Sequence, residues 1–292
     1  MGVLTNFEHI AREGEPLAPY TWLRLGGPAQ YFAEPTSVDE LAALVRRACD
    51  EGLPVRLLGG GSNLLVREEG VSGLVIHLSA AVFGEIRRQK DTIIAGGGAK
   101  LGHVISTAVR EGLGGLETMV GIPGTVGGAL HGNAGSRGGD IGQWVGSATV
   151  MTRTGEIITH ERRDLDFAYR RSSLDELVIL QATFELENDA PAELTKRMQR
   201  QWITKQASQP LSHQAVGCVF KNANGVSAGM IIDQAGLKGA RVGGDEISDR
   251  HANYLIAEPG ALPHDVLRLI ELVRARVNDR AGIQLELQIE VW

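Results

Sequence analysis

Two glycine-rich segments are the clearest candidates for a chemical site. The first runs from Gly59 to Asn63 and directly follows the apolar strand candidate Val55–Leu58. Its backbone amides and small polar side chains can surround a pyrophosphate without steric obstruction. No Lys-Ser or Lys-Thr pair follows the glycines, so this is not a Walker loop, and the G-x-G-x-x-G spacing of a Rossmann turn is also missing. A tight strand-to-loop corner is the alternative interpretation of this segment alone.

The second segment runs from Gly121 to Ala129 and is followed by Asn133-Ala134-Gly135. Pro123 fixes one turn, while the surrounding glycines allow the backbone to pass close to a flat or charged ligand. The hydroxyl of Thr125 can hydrogen-bond a phosphate. A purely structural turn rarely needs a second glycine-rich site about 60 residues away, so the two segments together indicate a bound ligand.

The apolar periodicity predicts the helices and strands that position these segments. Ser37 can cap a first helix, which Gly52 ends. Further helices are predicted over Leu101–Glu111, Ala192–Lys205 and Ala228–Ala235, and over a last apolar stripe from Val266 to Val277 that Gly282 ends. Strands are predicted over Val55–Leu58, Leu74–Leu78, Thr92–Ala95, Leu177–Leu186 and Ile283–Val291, with a hairpin over Val145–His160 that turns at Thr154-Gly155.

Asn188-Asp189-Ala190-Pro191 is the best boundary signal, and no internal repeat is present. It predicts a large N-terminal α/β domain over residues 1–189 and a smaller C-terminal α+β domain over residues 190–292. A chain of 292 residues is long enough for two such cores.

The composition excludes several classes of protein. A net charge of −6 without a block of like charges argues against a nucleic-acid partner. Neither a secretion signal nor a membrane span is predicted, so we expect a cytoplasmic protein. Cys49 and Cys218 are the only cysteines, which excludes a disulfide framework. No histidines and carboxylates have the spacing of metal ligands, so no metal is expected.

Together, the two glycine-rich segments resemble the FAD-binding domain shared by vanillyl-alcohol-oxidase-type (PCMH-type) flavoenzymes and UDP-N-acetylenolpyruvoylglucosamine reductases. Further segments resemble the reductases in particular, namely Thr21–Ala29, Tyr169–Ser172, Gly217–Asn222, Ala228–Asp233, Gly236–Gly239 and Ser248–Asn253. The resemblance extends from about Thr21 to the C-terminus and is closest to the compact form of that family. It implies a PCMH-type FAD-binding domain followed by a substrate-binding domain.

The resemblance also implies an activity. The family uses FAD and NADPH to reduce UDP-N-acetylglucosamine enolpyruvate to UDP-N-acetylmuramate in peptidoglycan biosynthesis. The cofactor-binding residues expected by this resemblance are Gly59, Gly60, Gly61, Ser62, Asn63, Ile122, Pro123, Gly124, Thr125 and Gly128.

Matching positions carry the expected catalytic roles. Arg170 matches the arginine that polarises the substrate carboxylate, whereas Arg171 is expected to be a surface charge. Tyr169, Lys205 and Asn222 are expected substrate contacts. A solvated helix end is the alternative interpretation of Lys205.

Two departures from the family pattern affect the catalytic assignments. Cys218 stands where the family usually has a proton-donating serine. A thiol, with a reference pKa of about 8.5, is a better acid than an alcohol, so proton donation is chemically feasible. A buried small hydrophobic residue is the alternative.

The second departure is at the C-terminus, where the family carries a catalytic glutamate. A gap-free match places Gln288 at that position, and a two-residue shift places Glu290 there. Strand alternation would put Glu286, Gln288 and Glu290 on one face, so periodicity does not decide between them. Because the mechanism requires an acid, we assign the role to Glu290.

Alternatives remain for one side chain and for the whole protein. His131 lies in the glycine-rich stretch that follows Ala129, where it would either attach the flavin covalently or make a local hydrogen bond. The rival functions are a PCMH-type flavin oxidase or dehydrogenase acting on an alcohol and a catalytically inactive nucleotide-binding homologue. The chain is expected to be a monomer.

Overall fold

The computed structural model describes residues 4–136, 138–211, 214–223 and 225–292. Its α-helices are α1 (Val38–Asp50), α2 (Leu101–Arg110), α3 (Val126–His131), α4 (Pro191–Ser208), α5 (Ala228–Gln234) and α6 (Pro263–Ala281).

The strands are short, and many have only two residues. Those up to residue 114 are β1 (Ala11–Pro16), β2 (Pro28–Ala33), β3 (Val55–Leu58), β4 (Leu64–Leu65), β5 (Val71–His77), β6 (Ile86–Gln89), β7 (Thr92–Gly96) and β8 (Leu113–Gly114). The middle strands are β9 (Gly135–Ser136), β10 (Gly139–Asp140), β11 (Val145–Met151), β12 (Ile157–Glu161), β13 (Phe167–Ala168), β14 (Arg171–Ser172), β15 (Val178–Glu185) and β16 (Glu187–Asn188). The last are β17 (Ala215–Gly217), β18 (Arg241–Val242), β19 (Asp245–Ile247), β20 (Tyr254–Ala257) and β21 (Glu290–Val291).

The chain forms two compact units. Unit 1 comprises the N-terminal segment up to Gly14, Gln30–Gly60 and Ser72–Ile203. It contains an antiparallel sheet in the order β12-β11-β15-β7-β6 and a second sheet in the order β1-β2-β5-β3, where β3 and β5 run parallel. Buried residues of α2 and α3, such as Val104 and Val126, share one core with the antiparallel sheet.

Unit 2 comprises Glu15–Ala29, Gly61–Val71 and Thr204–Trp292. Its antiparallel sheet has the order β17-β20-β19-β18. The apolar stripes of α5 and α6 are buried in one core with these strands. Strand β21 pairs in parallel with β4, with Glu290 opposite Leu64.

Local sequence explains the ends of several elements, as predicted. The Ser37 hydroxyl accepts a hydrogen bond from the Glu40 amide over 3.2 Å and so caps α1. Gly282, with a φ of 66°, ends α6 in the left-handed conformation that glycine favours. Strands β11 and β12 form the hairpin predicted around Thr154-Gly155.

The prediction of a continuous strand over Ile283–Val291 is wrong. Only Glu290–Val291 forms a strand, and Leu287 makes a single bridge with Phe220. The amides of Gln288 and Ile289 both point to the Val219 carbonyl, at 2.8 and 3.5 Å, so the regular hydrogen-bond pattern of a strand is interrupted at these two residues. The shared face predicted for Glu286, Gln288 and Glu290 stays a prediction. Leu285 and Ile289 are buried, and Glu286 and Glu290 are exposed.

No helix among the described residues is long and apolar enough to cross a membrane. The functional boundary predicted after Asp189 stays a prediction. Helix α4 begins just beyond it, at Pro191, and the division into compact units falls later, between Ile203 and Thr204.

Candidate active site

The two glycine-rich segments meet in unit 1. A methyl group on Gly60 would lie 2.7 Å from the Gly124 Cα atom, and one on Gly59 would lie 2.9 Å from the Thr125 hydroxyl oxygen. Any side chain on Gly60 would therefore collide with the backbone of the second segment. Gly124 itself has a φ of 100°, a conformation that only glycine adopts readily. Segments far apart in sequence thus form one structural feature.

The first segment has unused amide groups. Among the described residues, none accepts a hydrogen bond from the N–H groups of Gly59–Ser62. In contrast, the N–H groups of Val126 and Gly127 at the start of α3 donate to the carbonyls of Ala99 and Gly97, over 2.9 and 2.8 Å. A glycine turn with several unused N–H groups is suited to binding an anion. The Gly59–Ser62 turn therefore fits the pyrophosphate of FAD.

The residues of the second segment have mixed surroundings. The Thr125 hydroxyl oxygen caps α3 by accepting a hydrogen bond from the Gly128 amide over 3.4 Å, and its proton can still be donated. Ile122 is half-buried and packs against the core of unit 1, whereas Pro123 and Gly128 are exposed. Only part of this segment therefore faces outward.

Arg170 is held in a defined orientation. Its guanidinium donates to the carbonyls of Asn133 and Gly135, over 3.4 and 3.0 Å, and lies 5.4 Å from the centre of the Tyr169 ring. Arg170 has a φ of 54° and Asn133 a φ of 41°. A residue other than glycine persists in this left-handed region only where its surroundings determine it, and such residues cluster at functional sites.

The segment Tyr169–Ser172, which has the pattern Tyr-Arg-x-Ser, and the preceding Ala168 bind the same stretch of chain. The Ser172 hydroxyl donates to the His131 carbonyl over 3.1 Å. The side-chain amide of the buried Asn133 donates to the Ala168 carbonyl over 2.8 Å. Arg171 is exposed. Through Ser172 and Arg170, the motif therefore binds the chain at the end of α3 on both sides of Asn133, at His131 and Gly135.

His131 makes a local contact. Its Nδ1 atom lies 3.2 Å from the Leu174 carbonyl oxygen, on the segment that follows the Tyr-Arg-x-Ser motif. This is the hydrogen-bonding alternative considered for His131.

Cys218 lies in unit 2 and also has a left-handed backbone, with a φ of 55°. On its N-terminal side, Gly217 pairs with Tyr254, whose ring would lie 2.4 Å from a methyl group on Gly217. On its C-terminal side, the Val219 amide donates to the Asn253 carbonyl over 3.1 Å. The peptides around the thiol are therefore fixed from both sides, while the side chain is partly exposed.

Two polar side chains of unit 2 interact electrostatically with Cys218. Burial lowers the pKa of the Lys205 amine, and negative charge on Cys218 opposes this effect. Burial raises the pKa of the Tyr254 phenol, and charge on Cys218 raises it further. Lys205 and Tyr254 are therefore close enough to Cys218 to interact with its charge.

The C-terminal segment Glu286–Trp292, called the tail below, contacts both Val219, the residue after Cys218, and Asn63. The Gln288 amide donates to the Val219 carbonyl over 2.8 Å. The Asn63 side chain donates to the Gln288 carbonyl over 3.0 Å, and the Glu290 amide donates to the Asn63 carbonyl over 2.9 Å. Glu286 is exposed and forms an ion pair with Lys221.

Asn222 is exposed, and its side-chain oxygen accepts a hydrogen bond from the Ala228 amide over 3.0 Å. It therefore supports the start of α5, which Ser227 also caps. Among the described residues, no group of three or more His, Cys, Asp or Glu side chains is arranged to hold a metal ion.

Comparisons with known proteins relate this geometry to a family. Residues 209–292 match the family described as UDP-N-acetylenolpyruvoylglucosamine reductase, C-terminal domain, and residues 29–161 match the FAD binding domain family. The UDP-N-acetylenolpyruvoylglucosamine reductase of Rhodopirellula baltica is 40% identical over 284 residues, which cover 97% of this chain and 93% of the relative. This chain belongs to the UDP-N-acetylenolpyruvoylglucosamine reductase family.

Other members agree with this assignment. The enzyme named UDP-N-acetylenolpyruvoylglucosamine reductase 2 from Symbiobacterium thermophilum is 41% identical over 283 residues, covering 96% of this chain and 92% of the relative. The crystal structure of UDP-N-acetylenolpyruvylglucosamine reductase from Thermus caldophilus has a TM-score of 0.82 and 35% identity, and covers 97% of this chain and 98% of that one. The predicted family and fold class are therefore confirmed, and the chain is an oxidoreductase with an FAD-binding domain.

In this reductase, the predicted site residues form separate groups within each of the two units. Unit 1 brings Gly59 and Gly60 to Gly124 and Thr125, and separately sets Tyr169 beside Arg170. Unit 2 places Lys205 near Cys218, and it joins Asn63 to the tail.

Three residues with positioning roles were missed by sequence reasoning. Asn133 carries the carbonyl that accepts from Arg170, Asn253 fixes the chain after Cys218, and Tyr254 covers Gly217. The sequence did contain a signal for Asn133. Asparagine tolerates positive φ, so an asparagine after a glycine-rich stretch predicts a left-handed turn there. Asn253 and Tyr254 lie in the family-like block Ser248–Asn253 or next to it, but no spacing points from that block to Cys218.

Proposed function

We propose that this protein uses NADPH and FAD to reduce UDP-N-acetylglucosamine enolpyruvate to UDP-N-acetylmuramate for peptidoglycan synthesis. The proposal depends mainly on the match of residues 209–292 to the reductase C-terminal domain. The FAD binding domain alone is compatible with the rival alcohol oxidase, whereas the C-terminal domain selects the reductase.

FAD, when bound, supplies the chemistry of hydride transfer from NADPH to the vinyl carbon of the substrate. The unused N–H groups of Gly59–Ser62 support binding of its pyrophosphate to this turn. In this proposal the hydroxyl of Thr125 donates a further hydrogen bond to the cofactor, and the exposed Pro123 and Gly128 border it.

Arg170 is the proposed electrophilic residue. Hydride addition leaves negative charge next to the substrate carboxylate, and a preorganised cation stabilises that charge. The two backbone carbonyls that bind the guanidinium fix its plane, so the positive charge has a defined position. Tyr169, which is 54% exposed and stacks beside this guanidinium, is the proposed neighbouring substrate contact.

Cys218 is the proposed proton donor to the α-carbon. The thiol S–H bond breaks, the new C–H bond forms, and the electron pair remains on sulfur as a thiolate. Lys205 supports this role because its positive charge stabilises the thiolate. Lys205 and Asn222 are also proposed contacts of the UDP-sugar.

The tail supplies the proposed third catalytic group. Glu290 remains our assignment, because the mechanism requires an acidic side chain and the Gln288 amide is not one. Gln288 is the neutral alternative, supported by the bond from its amide to Val219, the residue after Cys218. Glu286 is a weaker candidate because it is paired with Lys221.

The remaining proposals concern organisation and setting. We propose that residues 1–189 bind FAD and residues 190–292 bind the UDP-sugar, in a cytoplasmic monomer that binds neither nucleic acid nor membrane. The net charge of −6 supports the absence of a nucleic-acid partner.

The absorbance spectrum of the purified protein tests the cofactor. We expect a flavin spectrum and release of free FAD by acid. A colourless protein that binds no added FAD would contradict the proposal. Flavin that remains attached to the denatured chain would contradict the local role of His131.

A further inference from the structure

Asn63 belongs to the glycine-rich turn by sequence, but its polar groups are directed at the tail. Its side-chain amide donates to the Gln288 carbonyl over 3.0 Å, and its own carbonyl accepts from the Glu290 amide over 2.9 Å. Both bonds connect residues more than 200 positions apart within unit 2. The predicted role of Asn63 as a direct cofactor contact does not account for this arrangement.

Further bonds hold the tail to the same stretch of chain. The Trp292 amide donates to the Leu65 carbonyl over 2.9 Å, and the Arg67 amide donates to the Trp292 carbonyl, also over 2.9 Å. These bonds continue the parallel pairing of β4 and β21. One edge of the tail is therefore bound to the chain that leaves the glycine-rich turn.

The opposite edge of the tail is bound to the segment that follows Cys218. Besides the bond from Gln288 to Val219, the Lys221 amide donates to the Glu286 carbonyl over 2.8 Å, and Phe220 forms a bridge with Leu287. Gln288 thus takes part on both edges, because its amide binds Val219 and its carbonyl binds Asn63.

Cys218 requires such support. Its left-handed backbone, with a φ of 55°, is unfavourable for a residue other than glycine and must be determined by its neighbours. The tail is one of these neighbours, through the Val219 carbonyl. The position of the tail therefore influences the placement of the thiol.

We propose that Asn63 is a positioning residue that couples occupation of the Gly61–Ser62 amides by FAD to the placement of Cys218, with the tail as the connection. An anion bound to the N–H groups of Gly61 and Ser62 fixes the peptides directly before Asn63. A fixed Asn63 side chain fixes the Gln288 carbonyl, and the Gln288 amide then holds Val219. The inference rests on the FAD binding proposed above but not on the identity of the substrate.

Amide hydrogen exchange of the full-length chain, with and without FAD, tests the coupling. We expect FAD to slow exchange of the Gln288 and Lys221 amides by about 5- to 150-fold, the usual range for coupled sites. In Asn63→Ala this effect of FAD should disappear at Gln288 and Lys221 while protection of Gly61 and Ser62 remains. Because coupling is reciprocal, Asn63→Ala should also bind FAD more weakly. The affinity should fall by about the same factor by which FAD slows exchange of the Gln288 and Lys221 amides in the native chain.

Two further variants give controls. Arg67→Ala should keep the native response, because Arg67 contacts the tail through its backbone amide. Asn63→Asp keeps the size of the side chain but replaces the donating amide by an acceptor, so it should behave like Asn63→Ala. Equal protection of Gln288 and Lys221 by FAD in the native chain and in both Asn63 variants would overturn the inference. Loss of this FAD-dependent protection in Arg67→Ala would also overturn the inference. Neither result depends on whether the UDP-sugar is reduced.

Discussion

The two units hold their reactive side chains by different means, although each uses a left-handed residue other than glycine. In unit 1, Arg170 is held through its side chain, by the carbonyls of Asn133 and Gly135. In unit 2, Cys218 is held through its backbone, by partners of Gly217 and Val219. The difference matches the proposed tasks, because a cation that binds a carboxylate needs a fixed plane, whereas a proton donor needs a fixed position and a mobile proton.

This comparison separates the effects of substitutions in the two regions. A change at Arg170 alters both charge placement and the contacts that fix residues after α3. A change at Cys218 removes the acid and leaves in place the backbone hydrogen bonds of Gly217 and Val219.

The largest effect is expected for Cys218→Ala. Flavin reduction by NADPH needs no proton from this thiol, so that step should remain nearly intact. Reoxidation by the enolpyruvyl sugar should slow by roughly 10²–10⁴-fold, the contribution of a positioned acid. Rapid-mixing absorbance at the flavin band measures each step separately.

Cys218→Ser is the matched variant and should retain much of the activity, because serine also carries a transferable proton. Alkylating reagents should inactivate the native protein, and bound UDP-sugar should protect it. Reoxidation of Cys218→Ala at the native rate would show that the cysteine only packs and that another group or a water supplies the proton.

Arg170→Lys should have the next largest effect. Lysine keeps the charge but not the planar fork, so substrate reduction should slow by about 10²-fold, as for loss of one preorganised donor. Arg171→Lys is the control, because Arg171 is exposed. Steady-state rates for both variants decide the assignment, and small, equal losses would show that Arg170 is the wrong arginine.

The tail variants test the choice between its two candidate residues. Glu290→Gln should slow substrate reduction by at least about tenfold, or 1.4 kcal/mol of barrier, and Gln288→Ala should have a smaller effect. The comparison uses the rate of flavin reoxidation. A larger loss in Gln288→Ala would establish the gap-free register, which the bond from Gln288 to Val219 supports.

A smaller effect, on stability alone, is expected from Asp245. This side chain is fully buried, and among the described residues neither carboxylate oxygen has a hydrogen-bond partner. Burial and the neighbouring Asp265 raise its pKa to about 7, although His264 opposes the rise. Between the ordinary value near 3.9 and 7, the folded chain binds the proton and the unfolded chain does not. The free energy of unfolding should therefore fall as pH rises through this range.

Asp245→Asn should remove this dependence. Urea unfolding of the native chain and Asp245→Asn at several pH values measures it, with the exposed Asp279→Asn as control. The contribution is a few kcal/mol at most, since each pH unit between the two pKa values is worth about 1.4 kcal/mol. Parallel stability curves for the native chain and Asp245→Asn would contradict the raised pKa.

The sequence predicted the long elements well because their signals are local. Ser37 and Gly282 mark the ends of helices α1 and α6, and alternation with a turn marks the hairpin β11–β12. Helix α3 was missed because a segment with two glycines has low helix propensity, and it is held instead by bonds to Gly97 and Ala99.

The site was predicted in its parts but not in its connections. Motifs identified Arg170 and Cys218, but not the carbonyl of Asn133 or the backbone amide of Gln288. Every residue type has a backbone carbonyl, and nearly all have a backbone N–H, so the sequence does not show which of these groups will bind. The tail was misjudged for the same reason. Its path is set by contacts with Val219 and Asn63, which are distant in sequence.

An anaerobic titration tests the central claim most directly. NADPH should bleach the flavin absorbance of the purified protein, and UDP-N-acetylglucosamine enolpyruvate should then restore it in equal amount with formation of UDP-N-acetylmuramate. Bleaching by an alcohol but not by NADPH, or a reduced flavin that the enolpyruvyl sugar fails to reoxidise, would contradict the account.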